Sequence, residues 1–166
     1  MSKNEIKYYS KLKQKKYREE EGLFLIEGNN LFEECVKSSV YKDLLLKVFV
    51  RNDYPDTEFI SSFTHFNPHI EIVYTDSSGI KALSDTVTSQ GIIGVVKKPV
   101  DSVFIRSEES KVQLFVLFES INDPGNLGTI LRTCHWYGVD KVFLSFDSAD
   151  IYNSKVLRSS QGAVFH

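Results

Sequence analysis

The stretch VQLFVLFESINDPGNLGTILRTCHWYGVDKVFLSF, residues 112–146, decides the fold. It opens on Val112–Ser120, a near-continuous apolar run of the kind found in parallel-sheet strands buried on both faces. Asp123-Pro124-Gly125-Asn126 is turn chemistry, since Pro presets φ and Gly admits φ > 0. A helical pattern follows over Asn126–Tyr137, with Asn126 placed as its N-cap. Lys141–Phe146 is a second strand pattern. Strand, helix and strand in this order predict a parallel βαβ unit. The turn then lies past the carboxyl end of a buried strand, where open α/β sheets hold their ligands.

Downstream, NSKVLRSSQG (Asn153–Gly162) is a further helical pattern, and AVFH has the character of a strand beginning. Two strands and two helices are too few to cover both faces of a parallel sheet, so the pattern predicts an unfinished domain over 112–166. Upstream, VDSVFIRSEESK (Val100–Lys111) has no period and is rich in Ser and charge, which predicts a linker over 101–111. Residues 1–100 alternate strand and helix signals. The strands are Leu23–Gly28, Leu44–Val50, Ile70–Thr75 and Gly91–Lys98. The helices are Asn29–Ser38, with an Asn at its N-cap, Thr57–Phe66 and Ser77–Ser84. The expected fold class is α/β throughout: a small N-terminal α/β domain, then the front half of a parallel-sheet domain.

The 166 residues are 42% hydrophobic and carry a net charge of -2, enough to bury one medium core or two small ones. No apolar run approaches a membrane span and the N-terminus is charged, so neither a membrane partner nor a secretory leader is expected. Cys35 and Cys134 have no CxxC or Cys/His spacing, which points to no metal, no disulfide framework and a cytoplasmic location.

The net charge hides an asymmetry. Lys3, Lys7, Lys11, Lys13, Lys15, Lys16 and Arg18 crowd the first 18 residues beside one acid, Glu5. The rest of the chain holds 13 of the 20 basic residues against 21 of the 22 acidic ones. A basic arm on an acidic body points to an anionic partner. Lys3, Lys7, Lys11 and Lys15 recur every four residues, so one continuous helix would align them in a stripe. A solvated helix is the plain alternative.

At the turn, Gly125 and Gly128 leave room for a nucleic-acid backbone, the helix N-terminus favours a phosphate, and Arg132 adds a forked donor. The plain alternative is that Asn126 only caps, Gly128 only packs and Arg132 only pairs with surface acids. The chain has no GxGxxG, no P-loop and no GxSxG elbow. GNLG has only the outline of a GxxG clamp, and nothing basic near Cys134 makes it a reactive thiolate.

INDPGNLGTILRTCHWYGVDKVFL closely resembles the first signature of the SpoU (TrmH-type) RNA 2′-O-ribose methyltransferases of the SPOUT superfamily, an N-x-G-x(3)-R motif after a D-P-x-N turn. YNSKVLRSSQGAVFH, residues 152–166, is similar to a later family stretch, K-x-x-R-x-S-x-G-A-x-F. Residues 11–36 and 83–96 resemble the beginning and end of the small RNA-binding domain many members carry. The resemblance implies methyl transfer from S-adenosylmethionine to a ribose of rRNA or tRNA, with Asn126 and Arg132 as catalytic residues. It also implies a homodimer in which Arg132 serves the partner's site. Lys11, Lys15, Lys16, Arg18, Gly125, Gly128 and Arg158 are the candidate RNA contacts. The family's two later signatures, a G-x-E-x-x-G loop and an S-L-N-V-S helix, carry the cofactor site and complete a knot. Neither occurs in residues 1–166, so no cofactor-binding residue is assigned and the chain is expected to be inactive by itself. A non-catalytic RNA-binding module, or a fragment with no function, is the alternative.

Overall fold

The computed structural model describes residues 3–66, 68–100 and 113–166. The expected linker over 101–111 lies outside them. The chain divides into two compact units, Met1–Lys98 with Phe165 and Pro99–Val164 with His166.

The first unit is built on four strands, β1 (Leu23–Glu27), β2 (Leu45–Arg51), β3 (Glu71–Thr75) and β4 (Ile92–Lys97), in the order β1-β4-β2-β3. β2 and β3 run parallel, while β4 is antiparallel to both β1 and β2. The sheet is therefore mixed; alternating strand and helix signals give its α/β character but not the antiparallel run of β4. Its central strand β4 buries both faces, which is why IIGVV reads as an unbroken apolar run. On one face Phe49, Ile93 and Val95 pack with Ile80 and Leu83 of helix α5 (Ser77–Leu83) and with Leu12. On the other, Gly94 lies so close to Phe32, Ile26 and Leu45 that a Cβ there would come within 3.0 Å of all three. Phe32 belongs to helix α3 (Asn29–Lys37). This helix has Gly28, not an Asn, at its N-cap, and the Asn29 amide donates to Gln90 Oε1 at 2.9 Å.

The basic arm is not one helix. α1 (Lys3–Ser10) gives way to a 3-10 turn (Lys11–Lys13), Gln14 is extended, and α2 (Lys15–Glu21) restarts the coil. The break cancels the single lysine stripe expected from a four-residue repeat. Its cause is packing: Leu12 inserts into the core, with Ile6, Tyr9 and Tyr17 against the same cluster. α2 ends at Gly22, whose φ of 63° is open to glycine at little cost. Lys47, 9% exposed, pairs with Glu5 of α1 and with Glu71 at 2.9 Å, which pins the arm to the sheet.

In the second unit β5 (Phe115–Phe118) pairs in parallel with β6 (Lys141–Leu144), joined by α6 (Pro124–Trp136). The parallel βαβ reading is correct, with shorter strands than expected. Burial of β5 on both faces is not found: Phe115 is 46% and Leu117 75% exposed. α7 (Ser154–Ser159) packs on α6, and Leu127, Val156 and Leu157 are fully buried. Ala163–Phe165 forms a 3-10 turn rather than the start of a strand.

Candidate RNA ribose site

The turn after β5 starts α6 two residues earlier than the periodicity implies. Asp123, not Asn126, is the N-cap. Its Oδ1 accepts the Asn126 amide at 2.8 Å, and Pro124 takes the first helical position. The physical reason is visible in the residues: a short acidic acceptor suits the cap, and a proline at N1 has no N–H to leave orphaned. Asn126 is thereby released from capping. Its side chain is exposed and makes no hydrogen bond among the described residues.

Asp123 uses its second oxygen on another element. Oδ2 accepts from Lys155 Nζ of α7 at 3.1 Å. The Asn126 amide, and after it Lys155, hold the Asp123 carboxyl below its usual range. Ser159, also on α7, donates to the Lys155 carbonyl at 2.7 Å and lies 3.3 Å from the Pro124 carbonyl. Asn153 caps α7 by accepting the Lys155 amide at 2.8 Å. The two family-like stretches, which begin at Ile121 and Tyr152, thus meet at the N-terminal end of α6.

Gly128 is what lets the helices meet. It is buried, and a Cβ on it would lie 1.9 Å from Ser159 Oγ and 2.6 Å from the Val156 carbonyl oxygen. Gly128 is therefore a packing residue and not an open approach for RNA, which corrects the expectation. Gly125 is half-buried beside Asp123 and Lys155, with room for their ion pair but little more. Arg18 is likewise corrected. It is 3% exposed, and its Nη1 donates to the carbonyls of Leu12 and Lys13 at 2.8 Å each, so it closes the 3-10 turn rather than facing a phosphate. Lys11, Lys15 and Lys16 remain exposed. Lys15 and Lys16 each pair with an acid one turn on, at 3.7 Å, and Lys11 lies over the Tyr17 ring. Such exposed pairs are weak and leave the lysines available to a polyanion.

An open hollow beside the turn is lined by Ser120, Ile121, Asn122, Asp123, Asn126, Thr129 and Ile130. Its amides and hydroxyls suit the hydroxyls of a sugar. Arg132 is not part of the lining. Six positions along a helix amount to about 9 Å of rise and about 120° of rotation, so Arg132 and Asn126 face different directions. Arg132 is exposed, and its side chain has no hydrogen bond or ion pair among the described residues. Arg158 of α7 is half-buried, and its Nη1 is enclosed without a hydrogen-bond partner there. Burial pushes the Cys134 thiol up, and that of Cys35 to about 12, consistent with packing rather than nucleophilic roles. Among the described residues no His/Cys/Asp/Glu group could hold a metal ion, and no helix is long and apolar enough to cross a membrane.

Residues 3–94 match the model of the MRM3-like substrate binding domain, and residues 113–166 that of the SpoU rRNA Methylase family. The Bacillus subtilis 23S rRNA (guanosine(2553)-2′-O)-methyltransferase RlmP is 34% identical over 97% of this chain and 59% of its own length. The chain belongs to the SpoU family of RNA methyltransferases. The human mitochondrial rRNA methyltransferase 3 is 32% identical over 93% of this chain and 36% of its own. The SpoU methyltransferase AviRb of Streptomyces viridochromogenes, solved with AdoMet, superposes with a TM-score of 0.82 at 20% identity, a likeness of fold. It covers 99% of this chain and 61% of that one. The chain thus spans about three-fifths of RlmP and of AviRb.

Several SpoU site features escape a reading of the residues alone. The Asp123–Lys155 pair and the Gly128–Ser159 contact link positions more than 30 apart, and no local pattern announces them. The Asp-Pro step does announce the cap, through the preference for Asp at N-cap and Pro at N1.

Proposed function

We propose that the full-length protein is an rRNA 2′-O-ribose methyltransferase that uses S-adenosylmethionine and works as a homodimer. The observation that carries this is the junction of the two SpoU stretches at the head of α6, where Asp123, Lys155 and Ser159 hold the turn and leave the Asn126 side chain free. S-adenosylmethionine supplies the methyl group when bound. The polar lining beside Asn126 does not suit its adenine and methionine parts, and no residue of this chain is assigned to it.

The roles of the chain's own residues follow from their chemistry. Asn126 orients the ribose through its amide. Arg132 holds the phosphate next to the reacting 2′-hydroxyl and stabilises negative charge developing on that oxygen. A guanidinium resists deprotonation and is a poor base, so its part is positional and electrostatic. The angular separation of Arg132 from Asn126 supports a role for Arg132 in the site of the second subunit. Arg158, half-buried on α7, is a further candidate RNA contact through the part of its side chain that reaches solvent. The first unit supplies RNA affinity through Lys11, Lys15 and Lys16.

The decisive experiment incubates the full-length protein with rRNA and methyl-labelled S-adenosylmethionine, then maps ribose methylation by mass spectrometry. Label in a 2′-O-methyl nucleotide is expected. Label confined to bases, or none in either rRNA or tRNA, would overturn the proposal. A second expectation concerns the arm. Deleting it would remove Leu12 from the core, so substitution is the cleaner test. Changing Lys11, Lys15 and Lys16 together to Gln is expected to reduce the slope of log affinity against log salt by about 2–3. An unchanged slope would return these lysines to solvent.

A further inference from the structure

We infer that Asp147 is a positioning residue for the ribose site: its carboxylate holds Ser120 in the left-handed conformation that carries β5 into the Asp123–Asn126 turn. The inference rests on the methyltransferase reading of that site.

Ser120 has φ 56°, one of two non-glycine residues on the positive side among the described residues. An L-residue adopts this region rarely, and a serine gains little from it locally. Such a conformation persists where its surroundings over-determine it. Here they do. Ser120 Oγ donates to Asp147 Oδ2 at 2.5 Å, and Ser145 Oγ donates to Asp147 Oδ1 at 2.6 Å. Ser145 Oγ in turn accepts the Ser120 amide at 2.8 Å. One residue on, the Ile121 amide donates to Ser148 Oγ at 3.2 Å, and the Ile121 carbonyl accepts the Ala149 amide at 2.8 Å. The Ser145 amide donates to the Phe118 carbonyl at 3.0 Å. The backbone from Phe118 to Ile121 is thus tied at nearly every residue to the loop after β6.

The carboxylate gives this network its direction. An ionised Asp accepts only, so both serine hydroxyls must point their protons at it. That leaves the Ser145 oxygen free to accept the Ser120 amide. Without Asp147 the Ser145 hydroxyl can rotate, and the amide loses a defined acceptor. The charge also strengthens both bonds, and the two hydroxyls hold the Asp147 carboxyl below its usual range. Asp147 is exposed and does not line the hollow, whereas Ser120, Ile121 and Asn122 do. Its effect on the reaction therefore passes through the position of the turn.

Two measurements on the full-length protein test this. In Asp147→Ala the amides of Ser120 and Ile121 are expected to exchange with deuterium at least about tenfold faster. Unchanged exchange overturns the latch whatever the activity. In methyl transfer, the same variant is expected to lose about 10- to 100-fold in kcat with little change in KM for RNA. Asp147→Asn, which keeps the shape and one acceptor, is expected to fall between it and wild type. Ser120→Gly added to Asp147→Ala is expected to restore much of the lost kcat, because glycine takes a positive φ without the latch. Failure of that rescue would assign the carboxylate a direct chemical part and overturn the positioning role, as would an Asp147→Ala enzyme with wild-type kcat. A wild-type protein that transfers no methyl group overturns the underlying reading as well, so the two failures are distinct.

Discussion

Replacing Arg132 by alanine in the full-length protein is expected to lower methyl transfer to rRNA by about 10²–10³-fold, the usual loss when one preorganised charge-stabilising donor is removed. The fold should not register the change. Arg132 is exposed and its side chain has no partner among the described residues, and substitutions of that kind cost within about 0.5 kcal/mol. Affinity for S-adenosylmethionine should also hold, because the proposed role gives this side chain to the phosphate and ribose rather than to the cofactor. Arg132→Lys is expected to recover little. Lysine keeps the charge but lacks the planar fork that can hold a phosphate oxygen and the ribose hydroxyl together. Melting curves, cofactor titration and turnover on one preparation of each variant check the three statements. Turnover near wild type would show that Arg132 is a surface residue and that the helix carries no catalytic cation.

How much of this was legible in the residues differs between the units. The βαβ order follows from apolar runs and a turn, and the structure has it from Phe115 to Leu144. The α/β character of the first unit follows equally from alternation of period, but the antiparallel run of β4 does not. What the residues misstate is the same in each case: a local reading misses partners brought in by packing. The four-residue lysine repeat predicts a single helix, yet Leu12 turns inward at its centre and the coil breaks around it. Arg18 looks like one more surface cation until the carbonyls of Leu12 and Lys13 converge on it. Asn126 looks like a cap because caps precede periodic residues, but Asp123 caps three residues earlier and takes the Asn126 amide itself, with proline behind it. Asn126 and Arg132 are themselves found by motif, since nothing in periodicity distinguishes them from ordinary helix-surface residues.

Gly128→Ala is expected to destabilise the second unit by about 2 kcal/mol, against the sign that helix propensity alone gives. Alanine is favoured over glycine inside a helix by about 1 kcal/mol. Opposing it, overpacking a tight site costs about 1–3 kcal/mol and occasionally more. The site is tighter than usual. A Cβ at Gly128 would meet Ser159 Oγ at 1.9 Å, the Val156 carbonyl oxygen at 2.6 Å and the Ser160 amide nitrogen at 2.8 Å. Ser159 can rotate away, but the other two are backbone, so α7 itself must retreat from α6. Ser159→Ala added to Gly128→Ala is therefore expected to rescue little. Retreat would also part Lys155 from Asp123 and loosen the turn that places Asn126. Activity should then fall in step with stability, unlike in Arg132→Ala, where activity falls alone. Gly128→Val adds two methyl groups to the same contact and is expected to leave the unit unfolded. Urea denaturation followed by amide hydrogen exchange across α6 and α7 reports on this unit selectively. An alanine variant as stable as wild type would mean that the two helices have slack and that propensity decides after all.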